Sequence, residues 1–438
     1  MSPTAAMCLV FDHRDLGRFG GPAVLPADFM GETGMEPPGN EPLFNARDPR
    51  LRTDPYPLYK RLRDAEPVHR TPYGHWVVSG YDEVAAILRK PELSSEYPQD
   101  PKWAAQRGGQ DSPIVQATRS WMLMRDGEAH RRLRGLANPV FTARAIRETV
   151  PRMTGIVHRI MDEMGDGRDV DLIGSLAALV PVTVFCGLGG LPVEDRDLCR
   201  KWTDALGHVI DPATDDTTRR AMNDAAEEFG AYIADHLARR RADPQDDIIS
   251  RLLLADFDGG KLSDDEIIAN VMMFFMGGHE TTVNLIGNGM LALLRHPDQL
   301  RALRAEPGLV DNAVEELLRY DAPIQLVARI TTGDIEVGGT AIPAGAKVMI
   351  LLGAANRDPR RYADPDRLDL RRADIRPLSF GGGPHYCIGA LLAKAEARLV
   401  FTELLRRHRD IRPAREDVVW RPQVNIRGLR ELRVDLIP

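Results

Sequence analysis

Residues 264–296 set the strongest limit on what this chain can fold into. The run opens on Ser263-Asp264-Asp265-Glu266, a capping box in which the serine side chain and the third helical residue satisfy free backbone N–H groups at the helix start. It closes at Pro297, which cannot continue a helix. Roughly 32 residues at about 1.5 Å each make a rod about 48 Å long. Met, Phe, Leu and Val occur on several of its faces, so the rod belongs inside a protein and the rest of the chain must be built around it. Yet Gly277 and Gly278 stand side by side at its centre, each costing a helix about 1 kcal/mol relative to alanine. His279-Glu280-Thr281-Thr282 follows directly.

Most of the remaining sequence also reads as helix: 54–67, 81–90, 128–137, 144–164, 172–186, 194–208, 215–241 and 246–255. HWVVSG (75–80) reads as a strand, and 91–120, without a clear period, as a long irregular loop. Residues 1–44 are rich in Gly and Pro and read as an extended or partly disordered lead-in. No internal repeat or linker divides 45–438, so one large, mainly α domain is expected.

Several function classes are excluded early. A net charge of -7 gives no overall basic field for nucleic acid or an anionic membrane. Leu172 to Val193 is uncharged and long enough to span a bilayer, but Pro181, Gly187, Gly189 and Gly190 interrupt it, so a buried core helix and no membrane span are expected. Four scattered cysteines make no disulfide framework, and no CxxCH exists for covalent heme attachment. With no basic and apolar leader at the N-terminus, the expected compartment is cytoplasmic.

Two segments carry chemistry. His279-Glu280 suggests the HExxH zinc motif, but the second histidine position is Val283, which removes a ligand. In FGGGPHYCIGALLAKAEARLV (380–400), a glycine-rich loop delivers Cys387 to the start of a helix, whose free N–H groups favour a thiolate able to bind a soft metal. Gly389 would let a flat partner come close, and Gly381 to Gly383 would let the loop turn. Cys186 and Cys199, in apolar helix-like runs, read as inert core residues.

The cysteine segment resembles the heme-binding signature of the cytochrome P450 superfamily, with Phe380, Gly383, His385, Cys387 and Gly389 at its fixed positions, and the likeness to soluble bacterial members covers about 45–438. The resemblance implies that family's single, triangular, mainly α fold with a small β-rich region, and a heme b whose iron is bound axially by the Cys387 thiolate. Glu316-Leu-Leu-Arg319 resembles its ExxR pair, joined in the family by a later arginine, here Arg367, while Leu368 departs from the usual phenylalanine. His130, Arg134, Arg329 and His385 stand where the family pairs the heme propionates. Gly277 and Gly278 are implied to clear the oxygen side of the heme, and Glu280 and Thr281 to deliver protons there.

By the same resemblance Met273, Met276, Gln325, Leu326 and Val327 line the substrate pocket with part of 91–120. The implied reaction is hydroxylation of a mid-sized, largely apolar small molecule in bacterial secondary metabolism. Epoxidation or oxidative coupling on the same scaffold stays open, whereas a heme-thiolate sensor or carrier has no need of Glu280 and Thr281. Electrons are expected from a ferredoxin and its NAD(P)H-dependent ferredoxin reductase, docking on a basic patch of Arg131, Arg132, Lys394 and Arg398. The protein is expected to be a monomer.

Overall fold

The computed structural model describes residues 44–46, 48–211 and 215–438. The expected lead-in up to residue 43 therefore lies outside the described residues. The capping box is complete: Ser263 Oγ accepts from the Glu266 N–H at 3.2 Å and Glu266 Oε2 accepts from the Ser263 N–H at 2.9 Å. The central helix Asp264–Arg295 runs unbroken through both glycines and is buried over most of its length. Pro297 ends it and begins the next helix, Pro297–Ala305, where its missing N–H is no loss.

Around this rod pack the helices Leu179–Gly189, Arg196–Gly207, Asp216–Ala242, Val310–Tyr320 and Ala390–Arg407. The uncharged stretch after Leu172 is a π-helical turn, Ile173–Ala177, followed by Leu179–Gly189. Pro181 falls in the first turn of that helix, where a proline is tolerated, and Gly190 closes it in the left-handed region at φ +84. Among the described residues no helix is long and apolar enough to cross a membrane.

A five-stranded sheet lies to one side, in the order Val68–Arg70, Trp76–Val78, Lys347–Ile350, Val327–Thr331, Leu93–Ser94. Only the pairing of Trp76–Val78 with Lys347–Ile350 is parallel. Near the C-terminus, Val419–Trp420 and Leu429–Glu431 form a small hairpin whose loop carries Arg421, Asn425 and Arg427.

The segment 91–120 is more ordered than its sequence suggests. It contains Leu93–Ser94 and the short helices Pro101–Ala105 and Pro113–Arg119, each opened by a proline. Trp103, Ile114 and Val115 bury the apolar sides of these helices in the main core. Helices of five and seven residues are too short to show a period in the sequence; tertiary burial holds them.

Candidate active site

Between the central helix and the loop before Ala390 lies a cavity of about 250 Å³. Cys387 lies on its floor, enclosed by protein, with its accessible surface turned to the cavity. The loop that brings it there depends on two glycines in the left-handed region, Gly381 at φ +72 and Gly383 at φ +63. A Cβ on Gly383 would stand 2.1 Å from the Leu88 carbonyl oxygen, so this glycine is required twice over. The Cys387 N–H donates to the Phe380 carbonyl at 2.9 Å, closing the loop. Helix Ala390–Arg407 starts three residues after the cysteine, and the Gly389 and Ala390 N–H groups bond the sulfur. Burial pushes the thiol up nonetheless, outweighing those N–H groups and the charges of Arg134 and Lys394. A bound metal cation reverses that balance, since coordination deprotonates a thiol outright.

On one edge of the cavity four cationic or ionisable side chains converge: His130, Arg134, Arg329 and His385. The rings of His130 and His385 are 4.2 Å apart. Burial, then the positive charges of His385 and Arg134, lower His130 to about 4, and its Nε2 is buried without a hydrogen-bond partner among the described residues. His385 Nε2 bonds Asp126 at 3.0 Å. Burial alone would raise Asp126, but hydrogen bonds from His385, Ser94 and Ser95 hold it well below the usual carboxylate range. Arg134 and Arg329 have no carboxylate partner among the described residues; Arg329 donates to its neighbour's carbonyl, Ala328 O, at 2.7 Å. An enclosed thiol facing an apolar cavity, with unneutralised cations along one edge, fits a flat metal-bearing group that carries carboxylates.

The central helix forms the opposite wall. Its two glycines do different work. A Cβ on Gly277 would meet nothing, so its backbone faces the open cavity. A Cβ on Gly278 would come within 2.0 Å of the Phe185 ring, so this residue serves close packing against helix Leu179–Gly189. Both glycines border the cavity, but a Cβ would enter open space only at Gly277. Thr281 Oγ1 donates to the Gly277 carbonyl at 2.6 Å and lines the cavity. Glu280 turns the other way, away from the cavity that Thr281 lines. It accepts from Arg421 Nη1 at 3.1 Å and packs so near Gly207 that a Cβ there would be 2.8 Å from Oε2. Burial raises Glu280, with the Arg421 charge opposing. His279 is a core residue between the Ala178 carbonyl and the Thr203 hydroxyl.

Two expected positions are corrected. Arg319 makes the bidentate pair with Glu316, but the third arginine is Arg372, whose Nε lies 3.2 Å from Glu316 Oε1. Arg367 points to solvent toward Asp369 and contributes only its carbonyl, which accepts from Arg319. The turns at 364–367 and 369–372 fold the chain back, so the arginine five residues later returns to the pair. Gln325 does not line the cavity: its Nε2 donates to the Ala322 carbonyl at 2.7 Å and it is fully buried behind the wall. Met273, Met276 and Val327 do line it, while Leu326 lines an adjoining cavity. Sequence reasoning missed Leu123, Phe141, Phe274 and Leu352 on the wall, and Arg421 behind it; all depend on long-range packing with no local signature.

The expected basic patch is compensated. Arg131 pairs with Glu128, Arg132 with Glu266, Lys394 with Glu315 and Arg398 with Asp311. Beside it, Tyr386 and Leu391 are exposed.

A helical fold around one long buried helix, with a cysteine loop beneath it and a buried Glu-Arg pair behind, defines a heme-thiolate protein, and the chain belongs to the cytochrome P450 family. The family model described as Cytochrome P450 matches residues 208–418. The cytochrome P450 monooxygenase PikC of Streptomyces venezuelae is 40% identical over 87% of this chain and 91% of its own length. The vitamin D(3) 25-hydroxylase of Pseudonocardia autotrophica is 38% identical over 88% and 94%. Among solved structures, CalO2 superposes with a TM-score of 0.85 at 34% identity, covering 90% of this chain and 99% of that one. The chain is accordingly a cytochrome P450 monooxygenase, an oxidoreductase that incorporates oxygen, of a family that binds heme b through a cysteine thiolate.

Proposed function

We propose that Cys387 is the axial ligand of heme b and that the enzyme hydroxylates a mid-sized, largely apolar small molecule of bacterial secondary metabolism. The carrying observation is the meeting of Cys387, Gly277, Thr281 and the four edge residues at one cavity. When bound, the heme-thiolate group supplies dioxygen activation. His130, Arg134, Arg329 and His385 hold its carboxylates. Gly277 leaves room above it, Thr281 orients a proton donor with its hydroxyl, and Glu280 supplies protons from behind the helix. Met273, Met276, Phe141 and Phe274 exclude water and hold the substrate by apolar contact.

An adjoining cavity shares Leu123, Ile324, Val327 and Arg329 with the first, so an extended substrate has room to reach past Leu326 toward Trp103 and Asn425. The PksS relative in Bacillus subtilis carries a polyketide biosynthesis name, which supports a substrate of that size class. Electrons come from a ferredoxin and its NAD(P)H-dependent reductase, docking where Tyr386 and Leu391 are exposed beside the paired charges. Residues 45–438 act as one domain, monomeric and cytoplasmic.

The test is a spectral titration of the ferric protein with polyketides, terpenoids and aromatic metabolites. A saturable low-to-high-spin change, followed by a hydroxylated product with ferredoxin and reductase, is the expected result. Cys387→Ser should abolish the thiolate-type spectrum of the ferrous carbonyl complex; an unchanged spectrum would remove the axial assignment.

A further inference from the structure

Glu280 is a buried carboxylate on the side of the central helix away from the cavity, and something on that side must keep it supplied. Its direct partner is Arg421, from the loop of the C-terminal hairpin, at 3.1 Å. The half-exposed His208, next to Gly207, lies within its electrostatic reach, with Nδ1 2.8 Å from Asp211 Oδ2. Gly207 itself leaves space for Glu280 Oε2, which a side chain there would fill.

We propose that Arg421 and His208 are positioning residues for proton delivery. Arg421 fixes the Glu280 carboxylate behind the helix. His208 takes up protons from solvent and passes them to it: the imidazolium loses one proton, the carboxylate gains it, and water restores the imidazolium. The inference rests on the reading of Glu280 as the proton supplier for the cavity.

The surrounding charges favour this direction of flow. Burial lowers His208, but its bond to Asp211 and the charges of Asp211 and Glu280 outweigh burial and the opposing Arg421, so the ring stands above its ordinary value. Asp215, at the start of helix Asp216–Ala242, faces it as well. Burial raises Glu280, reinforced by Asp204 and Asp211 and opposed by Arg421 and His208. An acid and an imidazole that both stand above their ordinary values hold a proton more readily than free side chains do, as a relay toward the cavity requires. Asp204, half exposed on helix Arg196–Gly207, is the competing route.

The test uses the holoenzyme with two readouts. NMR titration of the His208 ring should show its pKa falling by about half a pH unit or more in Glu280→Gln and rising in Arg421→Ala, as expected for charges at short range in a partly hydrated site. Coupling of NAD(P)H oxidation to product should fall several-fold in His208→Gln and Arg421→Ala and lose its decline above the His208 pKa in His208→Gln. Arg421→Lys should restore most of it. Unmoved His208 titration, or coupling that follows Asp204→Asn and ignores His208→Gln, overturns the proposal. If Glu280→Gln itself leaves coupling intact, the Glu280 reading falls; if it uncouples the enzyme while the His208 and Arg421 variants do not, only this inference falls.

Discussion

Arg319 grips Glu316 through two hydrogen bonds, Nε to Oε2 at 2.7 Å and Nη2 to Oε1 at 2.8 Å, and neither side chain reaches solvent. Every remaining donor is used: Nη1 donates to Asn356 O and Pro365 O, Nη2 also to Arg367 O, while the Asp369 N–H and Arg372 Nε donate to Glu316. The pair pins the 356–372 segment behind the cysteine loop. Removing one partner leaves a buried charge uncompensated, which costs about 3–5 kcal/mol. Glu316→Ala or Arg319→Ala should therefore lower unfolding stability by that amount in a denaturant titration. Arg372→Ala should cost about 1–2 kcal/mol, as the loss of a charged hydrogen bond at the edge of the network. Arg367→Ala, exposed, should stay within about 0.5 kcal/mol. Equal losses at 367 and 372 would contradict this assignment.

The same segment shows what the sequence reveals and what it hides. The capping box, the glycine-framed cysteine and the i,i+3 Glu-Arg pair are local patterns, each complete within a few residues, and all were legible. Arg372 replaces Arg367 because the chain reverses twice between them, a matter of turn geometry that spacing does not encode. Arg421 reaches Glu280 across 141 positions of sequence. Leu326 turns to the adjoining cavity and Val327 borders both, while Gln325 is held behind the wall by its bond to the Ala322 carbonyl; these three precede or open the strand, and no periodicity in the sequence separates them. Gly277 and Gly278 look identical in sequence; only the position of Phe185 separates them.

That separation gives a second prediction. Gly278→Ala places a methyl group inside the contact distance of the Phe185 ring and should destabilise the protein by about 1–3 kcal/mol through overpacking. Gly277→Ala meets no protein atom and should raise helix stability by up to about 1 kcal/mol. Its methyl enters the cavity, however, so substrate binding should weaken. Stability curves of the two variants should move in opposite senses, spin-state titrations should weaken in Gly277→Ala, and pairing Gly278→Ala with Phe185→Leu should recover part of the stability loss.

Acid sensitivity of the heme-free protein should come from His130. Its folded value is lowered to about 4, whereas an unfolded histidine titrates near 6.5. Between those values the unfolded chain binds more protons than the folded one, so stability rises with pH across the window and is flat, for this group, above it. His130→Gln should flatten that part of the stability-pH curve. If His130 holds a heme carboxylate as proposed, bound heme would favour its charged form, so the holo protein should show a shallower slope than the heme-free one. Denaturant midpoints measured from about pH 4.5 to 7.5 with and without heme decide the point.

Thr281 joins the structural account to turnover. Its hydroxyl donates to the Gly277 carbonyl at 2.6 Å, which fixes the side chain against the helix and leaves its oxygen lone pairs directed for accepting a donor from the cavity. Alanine at 281 removes the group but no buried partner, since the Gly277 carbonyl keeps access to the open cavity, so stability should change by less than about 1 kcal/mol. Proton delivery should suffer far more. Thr281→Ala should consume NAD(P)H at a rate close to the parent enzyme while product falls several-fold and hydrogen peroxide rises to match. Serine, which retains the hydroxyl and loses only the methyl group, should restore most of the coupling. A Thr281→Ala enzyme that remains coupled, with normal product yield per NAD(P)H, would show that the hydroxyl only braces the helix beside Gly277 and that protons reach the cavity by another path.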